Sequence, residues 1–146
     1  MSDDGDTTEG RDAMDPGPSP DVLVQLLVQT ANAGGLKAGV TLWVGGLIVS
    51  GELVGMADYI EGVARELENT GDGGKTLADV YRKLGESWLS NLKDDDAPPP
   101  QLIHLSNAKT YAPGGTAIPT SRGVWWRGRL NSVDGWCFGE LSQESS

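Results

Sequence analysis

Cysteine, histidine and phenylalanine each occur once in these 146 residues, as Cys137, His104 and Phe138. A single cysteine excludes an intrachain disulfide framework and fits a reducing, cytoplasmic compartment. A lone histidine with no cysteine beside it cannot supply the convergent ligands of a zinc site. Basic residues are also scarce: 11 Lys and Arg stand against 21 Asp and Glu, a net charge of −10. Binding to nucleic-acid phosphates needs clustered cations, so no nucleic-acid partner is expected. No apolar run approaches the roughly 18 residues of a membrane span, and the acidic start lacks the apolar segment of a secretory signal. Asp3, Asp4 and Asp6 lack the glycine and terminal glutamate of a calcium loop, and no cofactor or metal is expected.

What is present is unevenly spread. Residues 1–20 hold six acids against Arg11, among Gly, Pro, Ser and Thr, with Met1 and Met14 as their large apolar residues. Such a segment buries too little surface to offset the entropy of ordering, so a disordered acidic tail is expected over 1–20. A short flexible tail is expected over 141–146. The body, 21–140, carries 10 bases and 14 acids and reads as one α+β domain.

Ser19 and Pro20 predict a helix start, as N-cap and first helical residue, with Leu23, Leu26, Leu27 and Ala31 on its apolar face and Gly34-Gly35 at its end. Val40, Leu42 and Val44 alternate with polar or bulky neighbours, and Gly45-Gly46 before Leu47–Val54 predicts a two-residue hairpin. Gly51 inside the second strand marks a bulge or sharp bend. Helical spacing returns at Met56–Thr70 and again at Lys75–Leu92, where Leu77, Val80, Tyr81, Leu84, Trp88 and Leu92 form one apolar stripe. Asp94–Pro100 reads as an extended spacer. Three further strands are predicted at Leu102–Tyr111, Gly123–Leu130 and Val133–Leu141, with a loop over 112–122. The expected fold is a small bent five-stranded antiparallel sheet, an SH3/Sm-like partial barrel, with an N-terminal helix and an inserted helical pair. Fold analogy of this kind carries no function by itself.

Local motifs offer little chemistry. Asn69–Thr76 approaches a phosphate-binding loop, but position 69 is Asn and the preceding segment is helical, so a glycine-rich interhelical turn is expected. His104, in a strand pattern, has no nucleophile near it and is expected to hydrogen-bond its ring. Cys137 reads as a small apolar residue. No catalytic constellation emerges, and an enzyme built on His104 and Asp134 rests on residue identity alone.

The least ordinary block is Val124–Leu130. Strand alternation places Trp125, Arg127 and Arg129 on one face and Trp126 on the other. Arginine beside tryptophan is the composition of an interface hot spot, and equally of a cation–π pair inside a stable sheet. Trp125, Arg127 and Arg129 are the candidate partner-binding residues, and one of the two tryptophans belongs to the core.

Three blocks resemble the gas vesicle accessory protein U (GvpU) family. They are Thr41–Gly46 with Ile48–Gly51 and Tyr59, then Ile103–Ala108, then Trp126–Leu130 with Val133–Gly135 and Gly139. The resemblance implies a non-enzymatic accessory protein of gas vesicles, the hollow buoyancy organelles of some prokaryotes. It implies a place on the vesicles, contacts with the shell or other gas vesicle proteins, and a role in assisting vesicle assembly or in clustering the finished vesicles. It supplies no catalytic residues. The acidic body and the Trp–Arg strand fit a cytoplasmic protein that associates with itself into a homo-oligomer. The alternative reading is an Sm-like ligand-binding barrel.

Overall fold

The protein is described by a computed structural model over residues 19–119 and 121–141. The expected acidic tail, apart from Ser19 and Pro20, and the C-terminal tail after Leu141 lie outside the described residues. Helix α1 (Val22–Asn32) starts two residues later than Ser19 and Pro20 predict: Asp21 is the N-cap, and its carboxylate accepts from the Leu23 amide at 2.9 Å. Aspartate satisfies an orphan amide and the positive helix end together. The helix ends on Gly34, whose φ of 87° only glycine adopts freely. Of the expected face Leu23, Leu26, Leu27 and Ala31, Ala31 is buried and Leu27 packs against the core, whereas Leu23 and Leu26 are exposed and Val24 and Val28 are buried in their place. The helix is apolar on nearly every side, so periodicity could not choose between faces.

Strands β1 (Ala38–Val44) and β2 (Leu47–Val54) form the expected hairpin, closed by Gly45 and Gly46. Gly45 takes a φ of 62°, the positive value that two-residue hairpin turns need at their first central position. Helices α2 (Met56–Glu68) and α3 (Asp72–Leu92) follow as an antiparallel pair. Strand β3 (Leu102–Tyr111) returns to the sheet beside β2. The loop expected over 112–122 contains a short sixth strand, β4 (Ala117–Ile118), on the edge of β3. Strands β5 (Val124–Arg129) and β6 (Val133–Phe138) complete an antiparallel sheet ordered β4-β3-β2-β1-β6, with β5 on the same edge of β3 as β4.

This order forces curvature. β5 lies on one edge of the sheet and β6 on the other, yet only a 3-10 turn at Leu130–Ser132 separates them. Three linking residues reach at most about 14 Å, so the two edges converge at that corner. The sheet remains open, and the fold is α+β as expected. Three irregularities accommodate the curl, the first where β1 and β6 slip register between Trp43 and Val44. β2 and β3 slip register between Ser50 and Glu52, around Gly51, and β3 and β5 slip between Leu105 and Ala108. Asn107 sits in that last bulge at a φ of 52°, and its Oδ1 accepts from the Gly123 amide at 2.9 Å.

The core lies between α1 and the inner face of the sheet. Val24 and Val28 meet Val40, Leu42, Leu53, Ile103, Leu105 and Leu130, with Trp126 and Trp136 packed at the margin. Thr41 and Ser50 are the buried hydroxyls of the β1–β2 pair, and both are satisfied. They lie 3.1 Å apart, Thr41 donates to the Gly139 carbonyl, and Ser50 accepts from the Leu141 amide. That network fastens the chain end to the sheet.

Candidate functional site

The helical pair covers the opposite face of the sheet, above β3 and β5. Its first helix is set by a close junction: Asn32, at the end of α1, accepts from the Met56 amide at 3.0 Å and so caps α2. Gly55 there abuts the Ala31 backbone, leaving no room for a side chain. α2 and α3 hold each other through small residues and one cation. Gly85 lies against Ile60, and Ala78 is fully buried. Arg82 spans the pair, its Nη2 at 2.9 Å from Glu61 Oε2 and 3.0 Å from Glu68 Oε1. Hydrogen bonds from this guanidinium hold both glutamates below the ordinary carboxylate range. Such forked pairing fixes geometry as well as charge.

Packing through glycine and alanine has a consequence for the other side of α3. The stripe Leu77, Val80, Tyr81, Leu84 and Trp88 is not core: each residue is between 38% and 44% exposed. Spacings of three and four residues keep these side chains on one face. Sequence periodicity finds the stripe but cannot reveal that the small-residue face wins the packing.

The strand alternation of β5 is confirmed. Trp126 turns inward against the core, while Trp125, Arg127 and Arg129 share the face toward the helices. Their surroundings differ. Trp125 is half-buried beneath α2, where a Cβ on Gly62 would overlap its indole and the Tyr59 ring meets it edge-on at 6.3 Å. Arg127 and Arg129 are exposed. The Arg127 guanidinium lies 5.9 Å from the centre of the Trp88 ring, a cation–π distance that joins β5 to the α3 stripe. The structure therefore brings Arg127 to the apolar stripe and withdraws Trp125 beneath a helix.

His104 pairs directly across the strands with Arg127, and with Val54 on its other side. It is 2% exposed. The expected ring hydrogen bond is not made: both nitrogens lack a partner, the one such pair of buried side-chain atoms among the described residues. The ring instead stacks obliquely on Tyr59 at 4.7 Å. Local strand pattern could not anticipate this, because helices from a distant part of the chain remove the solvent. Burial first, and the Arg127 charge second, push its pKa down to about 4, so the ring is neutral at pH 7. It faces a cavity of about 270 Å³, walled by Tyr59, Ile60, Tyr81, Leu84 and Trp88, with Arg127 at its border. A larger groove of about 350 Å³, between α1 and the Asp94–Pro100 segment, has no unpartnered buried group.

Other expectations resolve simply. Asn69–Thr76 is the interhelical turn, although α3 begins at Asp72 and takes Gly73 and Gly74 into its first turn. It follows a helix, so the strand that a phosphate-binding loop requires does not precede it. Cys137, read as a small apolar residue, is exposed. No cluster of His, Cys, Asp and Glu among the described residues could hold a metal ion, and none of their helices is long and apolar enough to cross a membrane.

Comparison with curated proteins and with solved structures finds no match. The family described as gas vesicle protein GvpU-like matches residues 21–141, from the cap of α1 to the residue fastened beside β2. That span contains the sheet, the helical pair and the His104 cavity, and the chain belongs to the GvpU-like gas vesicle protein family.

Proposed function

We propose that this chain is a non-enzymatic accessory protein that assists the assembly of gas vesicles or clusters the finished ones. It acts in the cytoplasm, on the vesicle shell or other gas vesicle proteins, through protein contacts and self-association. Family membership supports the vesicle role. The observation that carries the contact is the α3 stripe, Leu77 to Trp88, continued onto β5 by Arg127 and Arg129. Contiguous apolar surface beside exposed arginines is the makeup of interaction surfaces. The interface proposed here keeps Arg127 and Arg129 and adds the stripe, with Trp125 supporting it from beneath. Contact with an acidic partner by charge alone is disfavoured by the net charge of −10, so the contact proposed rests on apolar burial as well as on the arginines.

Co-sedimentation with stripped vesicles tests this reading, with light scattering of the protein alone. Replacing Leu77 and Val80 by Ser together with Arg129 by Ala should weaken sedimentation by about 1–4 kcal/mol. The melting temperature should hardly change, since all three side chains are exposed. A triple variant that sediments and self-associates like the parent places the contact elsewhere.

A further inference from the structure

His104 is a buried polar group that the fold leaves without a protein partner, and it lines a cavity of the helical pair. The contrast with Thr41 and Ser50 is direct, since those buried hydroxyls are satisfied by the chain itself. A buried group without a partner is costly, and a molecule that supplies hydrogen bonds recovers that cost. Arg127 is unsatisfied in a second sense. Arg82 is saturated by Glu61 and Glu68, whereas no carboxylate lies within ion-pair reach of Arg127 among the described residues. Its planar fork suits a carboxylate.

The walls select the rest of the ligand. Tyr59, Tyr81 and Trp88 offer ring faces and edges, which favour a planar apolar body. An apolar cavity of about 150 Å³ holds one benzene ring. The cavity here, about 270 Å³, therefore admits one ring with a short polar arm. We propose that the cavity between the helical pair and β3–β5 binds a small aromatic carboxylate, its ring between the aromatic walls, its charge on Arg127, and a ring nitrogen of His104 as hydrogen-bond partner. The site shares Tyr81, Leu84, Trp88 and Arg127 with the surface proposed above, but Leu77, Val80 and Arg129, the residues changed in the sedimentation test, do not line it, so the two tests fail separately.

The test uses the full chain and phenylacetate, followed by calorimetric titration and by the ring-nitrogen chemical shifts of His104. Phenylacetate should bind saturably and shift both His104 nitrogens. Benzyl alcohol, which lacks the charge, and acetate, which lacks the ring, should each bind at least tenfold more weakly. Arg127→Gln, at an exposed position, should weaken phenylacetate at least tenfold while leaving benzyl alcohol unchanged. His104→Leu should remove binding without unfolding the chain; if that variant does not fold, Arg127→Gln alone decides. Absence of saturable binding, equal affinity of the Arg127→Gln variant for phenylacetate, or unmoved His104 shifts would each overturn the proposal.

Discussion

His104 carries a measurable signature in the folding equilibrium. Its pKa is about 4 in the folded chain against about 6.5 when solvated, so the unfolded state binds more protons between those values. Stability is therefore full above about pH 6.5 and falls as pH drops toward 4, by about 3 kcal/mol from this residue alone. Urea unfolding at a series of pH values should show that slope in the parent. In His104→Leu the His104 share of the slope between pH 6.5 and 4 should vanish, leaving the smaller part that Glu61 and Glu68 contribute nearer pH 4, and stability at pH 7 should be unchanged or higher. Leucine removes two unpartnered polar atoms at little change in volume. A parent-like slope in the variant would assign the titration to other groups. The paired tryptophans teach a related lesson. Trp125 and Trp126 are adjacent and chemically alike, and strand alternation alone sends one beneath α2 and the other to the core.

The helical pair shows how small residues decide orientation at the scale of an element. α3 is held to α2 by Gly85 on Ile60 and by the Arg82 bridge, and both operate on the face away from the large apolar side chains. Close approach of backbones brings dispersion and burial across many atoms at once, which bulky residues would prevent. Gly62 serves the same purpose between α2 and β5, giving space to the Trp125 indole. Gly62→Val should therefore displace Trp125 and cost about 1–3 kcal/mol, the range of overpacking. The checks are a lower urea midpoint and a change in tryptophan fluorescence. Unchanged stability would mean that the indole has room to move aside.

For the molecule as a whole, the deciding feature is a sheet whose two edges are joined by one short turn at Leu130–Ser132. Such a sheet must curl, and Gly51 and Asn107 absorb the strain where β2, β3 and β5 lose register. A Cβ on Gly51 would stand 2.8 Å from the Ser106 carbonyl oxygen and 3.0 Å from the Ala108 Cα. Backbone neighbours cannot rotate away as a side chain tip can. Gly51→Val should lower the melting temperature by several degrees and reduce soluble yield, consistent with a cost of roughly 2 kcal/mol. A variant that melts like the parent would show that β2 and β3 can separate there without penalty.

The sequence by itself determined what depends on near neighbours. Gly45-Gly46 specified the hairpin, alternation specified β1 and the two faces of β5, and three- and four-residue spacing specified the three helices. The blocks around Trp43, His104 and Arg127 carried the family resemblance, and the family match over 21–141 agrees with it. Only the tertiary structure decided which side of each helix is buried. α1 and α3 each present two faces that could pack, and the choice went to Val24–Val28 on the one and to Ala78–Gly85 on the other. Tertiary structure also decided that His104 is buried without a protein hydrogen-bond partner, and that Arg127 meets Trp88. Those outcomes join residues 39 or 45 positions apart in the chain, such as Trp88 with Arg127 and Tyr59 with His104. Periodicity reports how a segment meets its surroundings, but the shape and chemistry of those surroundings come from segments elsewhere in the chain.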